Sequence, residues 1–341
     1  MHSMDSNKSK DEFDKEIEAI LQGRSSEVFD FREFKFPGAK FENREFSKTV
    51  NFSNACFLND TEFWYVKFKE GAYFYDAKFD GEVSFGGSTF EKEAVFVKTI
   101  FDKPANFRAV SFDKPELIQF IRTNRGAKEG LRACFVNSHI ESIQFEAVNW
   151  YRSDERMVLQ DELDVLEVKE GAASHEEVAS AYRRLIANFE KARAYDLVED
   201  CTIGEFEMKR KDPSRFIFAN FLGPYYKRFS WLRWLGEWVS VVGVYWLLSL
   251  YGTSYRRALG MLGVFLVAFG VLFSVIGISP VEPGVDARCG VENAFKCLAN
   301  GFFHAVEVAT LQRDSVYKPV TPSGFMVEIL EQVFVAGQAA L

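Results

Sequence analysis

The sequence of 341 residues lacks the short motifs that mark common catalytic and metal-binding sites. It contains no CxxC, HExxH or GxxxxGK(S/T) pattern, and its four histidines are scattered along the chain. Metal sites and phosphate-binding loops depend on close, fixed spacings of such residues. No acid–base constellation with motif spacing is present either. The sequence therefore predicts no metal, no cofactor and no enzyme activity.

The first residues contain no apolar core, so no cleavable signal peptide is expected. Cysteine is also scarce, with five residues in the chain. Cys56, Cys134 and Cys201 fall in the polar front of the chain, where we expect reduced thiols. Cys289 and Cys297 could form a disulfide if their loop faces an oxidising space. Two free thiols are the equal alternative.

Charge is also uneven, although the chain as a whole has a net charge of −8. Residues 209–233 contain seven basic residues against a single acid, Asp212. A basic cluster ahead of apolar segments is typical of the cytoplasmic surface of a membrane. An ordinary solvated surface is the alternative.

The strongest pattern is a phenylalanine that recurs with alternating spacings of five and six residues, a period of eleven. The positions are Phe41, Phe46, Phe52, Phe57, Phe63, Phe68, Phe74, Phe79, Phe85, Phe90, Phe96, Phe101, Phe107 and Phe112. Two residues before each lies a small or β-branched residue, with the single exception of Arg44. Neither a helix nor a flat strand has this period. A chain that turns a corner every five or six residues does, because one side chain per side points inward.

This stretch resembles the pentapeptide-repeat family, in the variant with phenylalanine at the central position and alanine two residues earlier. The resemblance implies a right-handed quadrilateral β-helix of about 22 residues per coil, with coils about 4.8 Å apart. Some members of the family imitate the charge of DNA. This array mixes lysine with glutamate along every coil, so we expect no nucleic-acid partner and no DNA mimicry.

After Phe112 the period is interrupted by residues 114–132, which we interpret as a lateral loop. The period resumes at Phe135, Ile140, Phe145 and Trp150. The predicted domains are a capping helix in 1–27, the β-helix in 28–150 and an acidic loop with a helical linker in 151–229. Residues 174–211 within this linker predict a helical pair, and residues 182–210 resemble a segment found in a subset of pentapeptide-repeat proteins.

Residues 230–257 are apolar and aromatic, yet they contain Arg233 and Glu237. The segment Trp231–Tyr251 either spans the membrane or lies along its interface. Four tryptophans and the positive-inside rule favour the interfacial helix.

The last predicted domain, 258–341, begins with twenty residues without a charge, Leu259–Ile278. Twenty helical residues span about 30 Å, the thickness of the hydrocarbon core of a bilayer. A shorter and more polar stretch, Val291–Thr310, suits a re-entrant helix shielded by protein. A second apolar helix is predicted from Gly324 to Leu341. This order resembles the two-helix pore module of potassium channels; members of the subset continue past it with a short basic tail, which is not part of this sequence.

Potassium channels carry a Thr-x-Gly-Tyr-Gly filter after the re-entrant helix. Here no glycine follows Thr310, which argues against a carbonyl filter and against potassium selectivity. Side chains would have to line a conduction path, and on the last helix polar residues share one face. The candidate pore-lining residues are Glu307, Thr310, Leu311, Gln312, Glu328, Glu331, Gln332 and Gln338. The alternative is that they lie at the interface or join helices together.

The sequence thus predicts a β-solenoid followed by an α-helical linker and an α-helical transmembrane, pore-like domain. We expect a multi-pass protein of a bacterial cytoplasmic membrane, in contact with lipid and assembled as a homotetramer, with a weakly selective pore. The repeat domain would lie in the cytoplasm as a sensor or docking arm for a protein partner. The alternative is a non-conducting scaffold that presents the repeats to that partner.

Overall fold

The computed structural model describes residues 10–22, 27–212, 241–276, 278–280, 294–309 and 317–319, together with Val327 and Gln332. The chain divides into two compact units, Met1–Asp212 and Pro213–Leu341.

The first unit opens with helix α1 (Lys10–Gln22) and continues as short strands, most of them two residues long. In chain order they are β1 (Val28–Asp30), β2 (Lys35–Phe36), β3 (Ala39–Lys40), β4 (Glu45–Phe46), β5 (Thr49–Asn51), β6 (Cys56–Phe57), β7 (Thr61–Glu62), β8 (Lys67–Phe68), β9 (Ala72–Tyr73), β10 (Lys78–Phe79), β11 (Val83–Ser84), β12 (Thr89–Phe90), β13 (Ala94–Val97), β14 (Ile100–Phe101), β15 (Ala105–Asn106), β16 (Ser111–Phe112), β17 (Ile118–Ile121), β18 (Ala133–Cys134) and β19 (Gln144–Glu146).

These strands form four parallel sheets, one for each side of a β-solenoid. Side A is β1-β5-β9-β13-β17-β19, side B is β2-β6-β10-β14, side C is β3-β7-β11-β15-β18 and side D is β4-β8-β12-β16. Cys56 pairs with Lys78 and Lys78 with Ile100, so one coil takes 22 residues. The predicted four-sided coil of about 22 residues is confirmed.

The alternation of five and six residues comes from the corners. Within the regular coils every second corner contains a residue in the left-handed conformation, and these corners close the five-residue sides. They are Asn43, Asn54, Tyr65, Asp76, Gly87, Lys98 and Ala109. Because one such tight corner recurs in every half coil, the sequence repeats every eleven residues.

Phenylalanine rings fill the interior as one stack per side. On side B, rings of successive coils lie 4.6 Å apart for Phe36 and Phe57 and 4.4 Å apart for Phe57 and Phe79. On sides A and B the stacks begin with Phe31 and Phe36, half a coil before the regular period. This first coil is one residue shorter, since Val28 pairs with Thr49. Its short corner contains Gly38, whose φ of +146° favours glycine.

The small residues two positions before each phenylalanine are buried, as predicted. Arg44 is the exception, and its guanidinium donates to Glu18 of α1 at 2.6 Å. Two of the three buried hydroxyl groups in this set donate to a carbonyl of the preceding coil: Ser88 to that of Phe63, and Thr99 to that of Phe74 at 2.7 Å. The third, Thr61, donates to the carbonyl of Asn59 at 3.2 Å. Polar atoms within the stack are thereby satisfied.

The interpretation of residues 114–132 as a lateral loop is wrong for their first half. After a 3₁₀ turn at Pro115–Leu117, strand β17 continues side A, and the Phe120 ring lies 4.6 Å from the Phe96 ring. The side chain of Asn124 then takes the place of a strand on side B. Its Oδ1 accepts from the backbone N–H of Phe101 at 2.9 Å, and its Nδ2 donates to the Phe101 carbonyl at 2.8 Å.

Helices cover both ends of the solenoid. Ile17 of α1 joins the core at the first coil. At the other end lie a hairpin of β20 (Arg152–Ser153) and β21 (Arg156–Met157), and helices α2 (Gln160–Leu166), α3 (His175–Ala192) and α4 (Tyr195–Lys211). Phe189 packs against Trp150, and Asn188 donates to the carbonyls of Ile140 and Ile143, both at 2.7 Å. A capping box of Ser174 and Glu177 begins α3, the first helix of the predicted pair.

The second unit contains helices α5 (Val241–Ser249), α6 (Tyr255–Ile276) and α7 (Ala294–Ala309). Strands β22 (Ile278–Pro280) and β23 (Tyr317–Pro319) pair antiparallel, which joins the segment after α6 to a segment after α7.

Removal of one stacked ring should destabilise the solenoid strongly. Phe85 is completely buried, and the variant Phe85→Ala should lose about 3–5 kcal/mol of folding free energy. The exposed Leu58 provides the control, since Leu58→Ala should cost less than about 1 kcal/mol. Urea unfolding followed by far-ultraviolet circular dichroism measures both, and equal midpoints for the two variants would contradict the ring stack.

A second prediction concerns the left-handed corners. Ala109 has a φ of +54°, so Ala109→Gly should raise the thermal unfolding midpoint by relieving about 1 kcal/mol of backbone strain. Ala105 lies in β15 four residues earlier, and Ala105→Gly should lower the midpoint because glycine is unfavourable in a strand. Shifts of the same sign in the two variants would refute this account of the corner.

Candidate functional site in the carboxyl-terminal helices

Helix α6 presents apolar side chains on its surface. The most apolar 18-residue window within Tyr255–Val275 has a mean hydropathy of 2.4, and only 11% of this window is buried. By length and composition, this is the one helix among the described residues that could cross a membrane. Three of its side chains are each more than half exposed, those of Val264, Val267 and Val275. A continuous apolar surface of this kind is unfavourable in water.

Helices α6 and α7 approach closely where both carry glycine. A Cβ added at Gly301 would lie 2.3 Å from the carbonyl oxygen of Gly270, and one at Gly270 would lie 2.9 Å from the Cα of Phe302. Small residues of this kind allow helix backbones to pack tightly in membranes. The hydroxyl of Ser274 donates to the Gly270 carbonyl at 2.7 Å, so its polar group is satisfied within α6.

One turn beyond this crossing lies the polar pair His304 and Glu307. His304 is fully buried, and its ring meets the edge of Phe273 at a centroid distance of 4.6 Å. Its Nδ1 lies 3.7 Å from Glu307 Oε2. Glu307 is among the predicted pore-lining residues, whereas its neighbour His304 is not. The i, i+3 spacing of the two on one helix was the available signal.

The turn between α5 and α6 is closed by Arg257. Its guanidinium lies 4.3 Å from the centre of the Trp246 ring, and its Nε donates to the Leu247 carbonyl at 3.1 Å. Tyr251 packs edge-on against Tyr245 in the same turn. Aromatic rings and arginine at the end of an apolar helix are the side chains found at membrane interfaces.

Most of the predicted pore-lining residues lie outside the described part of the chain. Glu307 is placed in α7 with its side chain 16% exposed, beside His304. Gln332 is helical and partly buried. The other candidates lie outside the described residues, as does Cys289; they are Thr310, Leu311, Gln312, Glu328, Glu331 and Gln338. Cys297 is in α7, but its side chain is not described, so the predicted disulfide stays a prediction.

The surface of the solenoid carries lysine and carboxylate side chains that form ion pairs between coils. Lysines and carboxylates of neighbouring coils alternate, as in Lys67 with Glu91 at 2.8 Å and Lys69 with Glu45 at 2.6 Å. Such exposed pairs each contribute little to stability.

Comparison with protein-family models gives one match on the repeats: residues 63–111 match the family described as pentapeptide repeats (9 copies). The sheets extend beyond the match, and on side A they reach β1 and β19. The amino-terminal strands are therefore a pentapeptide-repeat β-solenoid of about five coils, followed by α-helices. Searches of curated proteins and of solved structures gave no match to the chain.

The helix crossing gives a direct test of the packing of α6 against α7. Gly301→Ala places a methyl group on the Gly270 carbonyl and should lower the thermal stability of the purified protein in detergent. Gly263 has open space around its Cβ position, so Gly263→Ala should be neutral or stabilising by up to about 1 kcal/mol. Size-exclusion chromatography after heating measures the folded fraction. Equal behaviour of the two variants would show that the crossing is not tight.

Proposed function

We propose that this protein is a multi-pass membrane protein whose carboxyl-terminal helices assemble into a weakly selective ion pore, with the solenoid as a cytoplasmic docking domain. The observation that carries this proposal is the placement of Glu307 and His304 on α7. Ionisable residues are costly in a membrane helix unless they face a partner or water.

The dimensions of the helices support a re-entrant role for α7. Its 16 residues make a helix of about 24 Å, shorter than the hydrocarbon core, whereas the 22 residues of α6 reach about 33 Å. The pairing of β22 with β23 returns the chain after α7 to the end of α6. Val327 packs against the cluster of Phe273 and Ala305, which supports a place for this residue beside α6 and α7.

The pore proposal requires several copies, and we propose four, since the helices that the structure describes in the second unit of one subunit are too few to enclose a path for ions. In a tetramer four copies of Glu307 would form a ring of carboxylates, which favours cations. The other candidate lining residues on the last helix would add further polar rings.

The second candidate is a non-conducting membrane scaffold that presents the solenoid to a protein partner. The sequence after Thr310 favours it, because a carbonyl filter needs glycine and none follows there. The mass of the detergent-solubilised particle distinguishes the two candidates, because a monomer cannot form a pore that several subunits share.

Recording from purified protein in planar bilayers tests the pore. Wild-type channels should conduct cations, and Glu307→Gln should reduce the cation current and the preference for cations several-fold, because the ring of charge is lost. Glu116→Gln removes the same charge from the solenoid and should leave the current unchanged. Silence of the wild type across voltage, pH and calcium would leave the scaffold as the function.

A further inference from the structure

Side C of the solenoid contains a groove of about 480 Å³ that the membrane proposal does not use. Its floor is made of outward-pointing side chains of β7, β11 and β15, among them Ser84 and Asn106. Trp64 and Arg108 line it, and α2 closes one end with Gln160 and Asp164. The volume is that of an ordinary ligand site.

The end of the groove away from α2 has a surplus of negative charge. Asp60, Glu62 and Glu82 line it, and of these Glu62 pairs with Lys40 at 3.3 Å. Asp60 and Glu82 form no ion pair with any residue that the structure describes. Glu42 lies outside the lining, and its hydrogen bond with Glu62 raises the pKa of Glu42.

The basic side chains at the opposite end are already engaged. Arg108 donates to Asp161 at 2.6 Å and to Asp164 at 2.9 Å, and Lys169 lies 3.0 Å from Asp164. These ion pairs neutralise the α2 end. The net charge that a ligand would meet is therefore the negative charge at the Asp60 end.

Two further observations point to a bound ligand. Gln160 is 6% exposed and lines the groove, yet its Oε1 has no hydrogen-bond partner among the described residues, although its Nε2 donates to Asp164 at 2.8 Å. A buried acceptor without a partner destabilises the folded protein, and a donor from a ligand would remove that cost. Trp64 is 38% exposed on the groove wall, where its ring can stack with a cation.

We propose that this groove binds an extended peptide segment that carries arginine. A guanidinium group is planar, so it can stack on Trp64 while it donates to the carboxylates of Asp60 and Glu82. A backbone N–H of the same peptide reaches Gln160. The groove crosses four strands of side C, a length of about 14 Å, which matches four to five extended residues. This proposal does not depend on conduction by the membrane helices.

Fluorescence anisotropy with the full-length protein in detergent tests the proposal, with the fluorescein-labelled peptide Gly-Arg-Gly-Arg-Gly as the probe at low ionic strength. The double variant Asp60→Asn with Glu82→Gln should bind about tenfold more weakly, a loss of about 1.4 kcal/mol. Asp113→Asn with Glu116→Gln removes the same charge outside the groove and should bind as the wild type does. Gln160→Met, which keeps the side-chain length and removes the acceptor, should weaken binding several-fold.

The same peptide with citrulline in place of arginine should not bind. Equal losses in the two double variants would reduce the interaction to general charge attraction and overturn the site. Absence of binding, or equally tight binding of the citrulline peptide, would overturn it as well. If free arginine competes at the same concentration as the peptide, the ligand is a small molecule and the peptide assignment is wrong. Circular dichroism of each variant verifies that the solenoid remains folded.

Discussion

The solenoid depends on a match between two distances. Hydrogen-bonded strands lie about 4.7–4.9 Å apart, and stacked aromatic rings prefer similar separations. One phenylalanine per side and per coil therefore fills the interior, and the rings of Phe63 and Phe85 are stacked 4.8 Å apart and nearly parallel. The small buried residues and the left-handed corners follow from this, because each coil must close around four rings at the same height.

A stack of this kind leaves an exposed face at each end, with apolar rings and unpaired backbone groups. The two ends are covered in different ways. At the first coil, Arg44 takes a position that is small elsewhere and reaches Glu18 of α1. At the last, side chains of α3 supply the donors that a further coil would have supplied, as Arg184 does to the Ser138 carbonyl at 2.7 Å.

The regular part of this fold could be predicted because each coil repeats the same side-chain requirement. The irregular part could not. Phe120 falls eight residues after Phe112, which breaks the spacing although the ring keeps its place in the stack. Asn124 replaces a strand with its carboxamide, which depends on one conformation of one side chain. The lengths and the apolar character of the helices could be predicted from the sequence. The contact between Gly270 and Gly301 could not, because the two segments share no sequence pattern that indicates which residues meet.

The register of 22 residues in the regular coils also has a consequence for how such a protein can change. A coil copied in tandem would meet the same rings, corners and hydrogen-bond donors as its neighbours, so the rod could lengthen by about 4.8 Å per copy while α1 and α2 remained in place. Insertion of any other length must be absorbed at a corner, as happens between Phe112 and Phe135. The length of the solenoid can thus change by one coil at a time, without any change in the helices that follow.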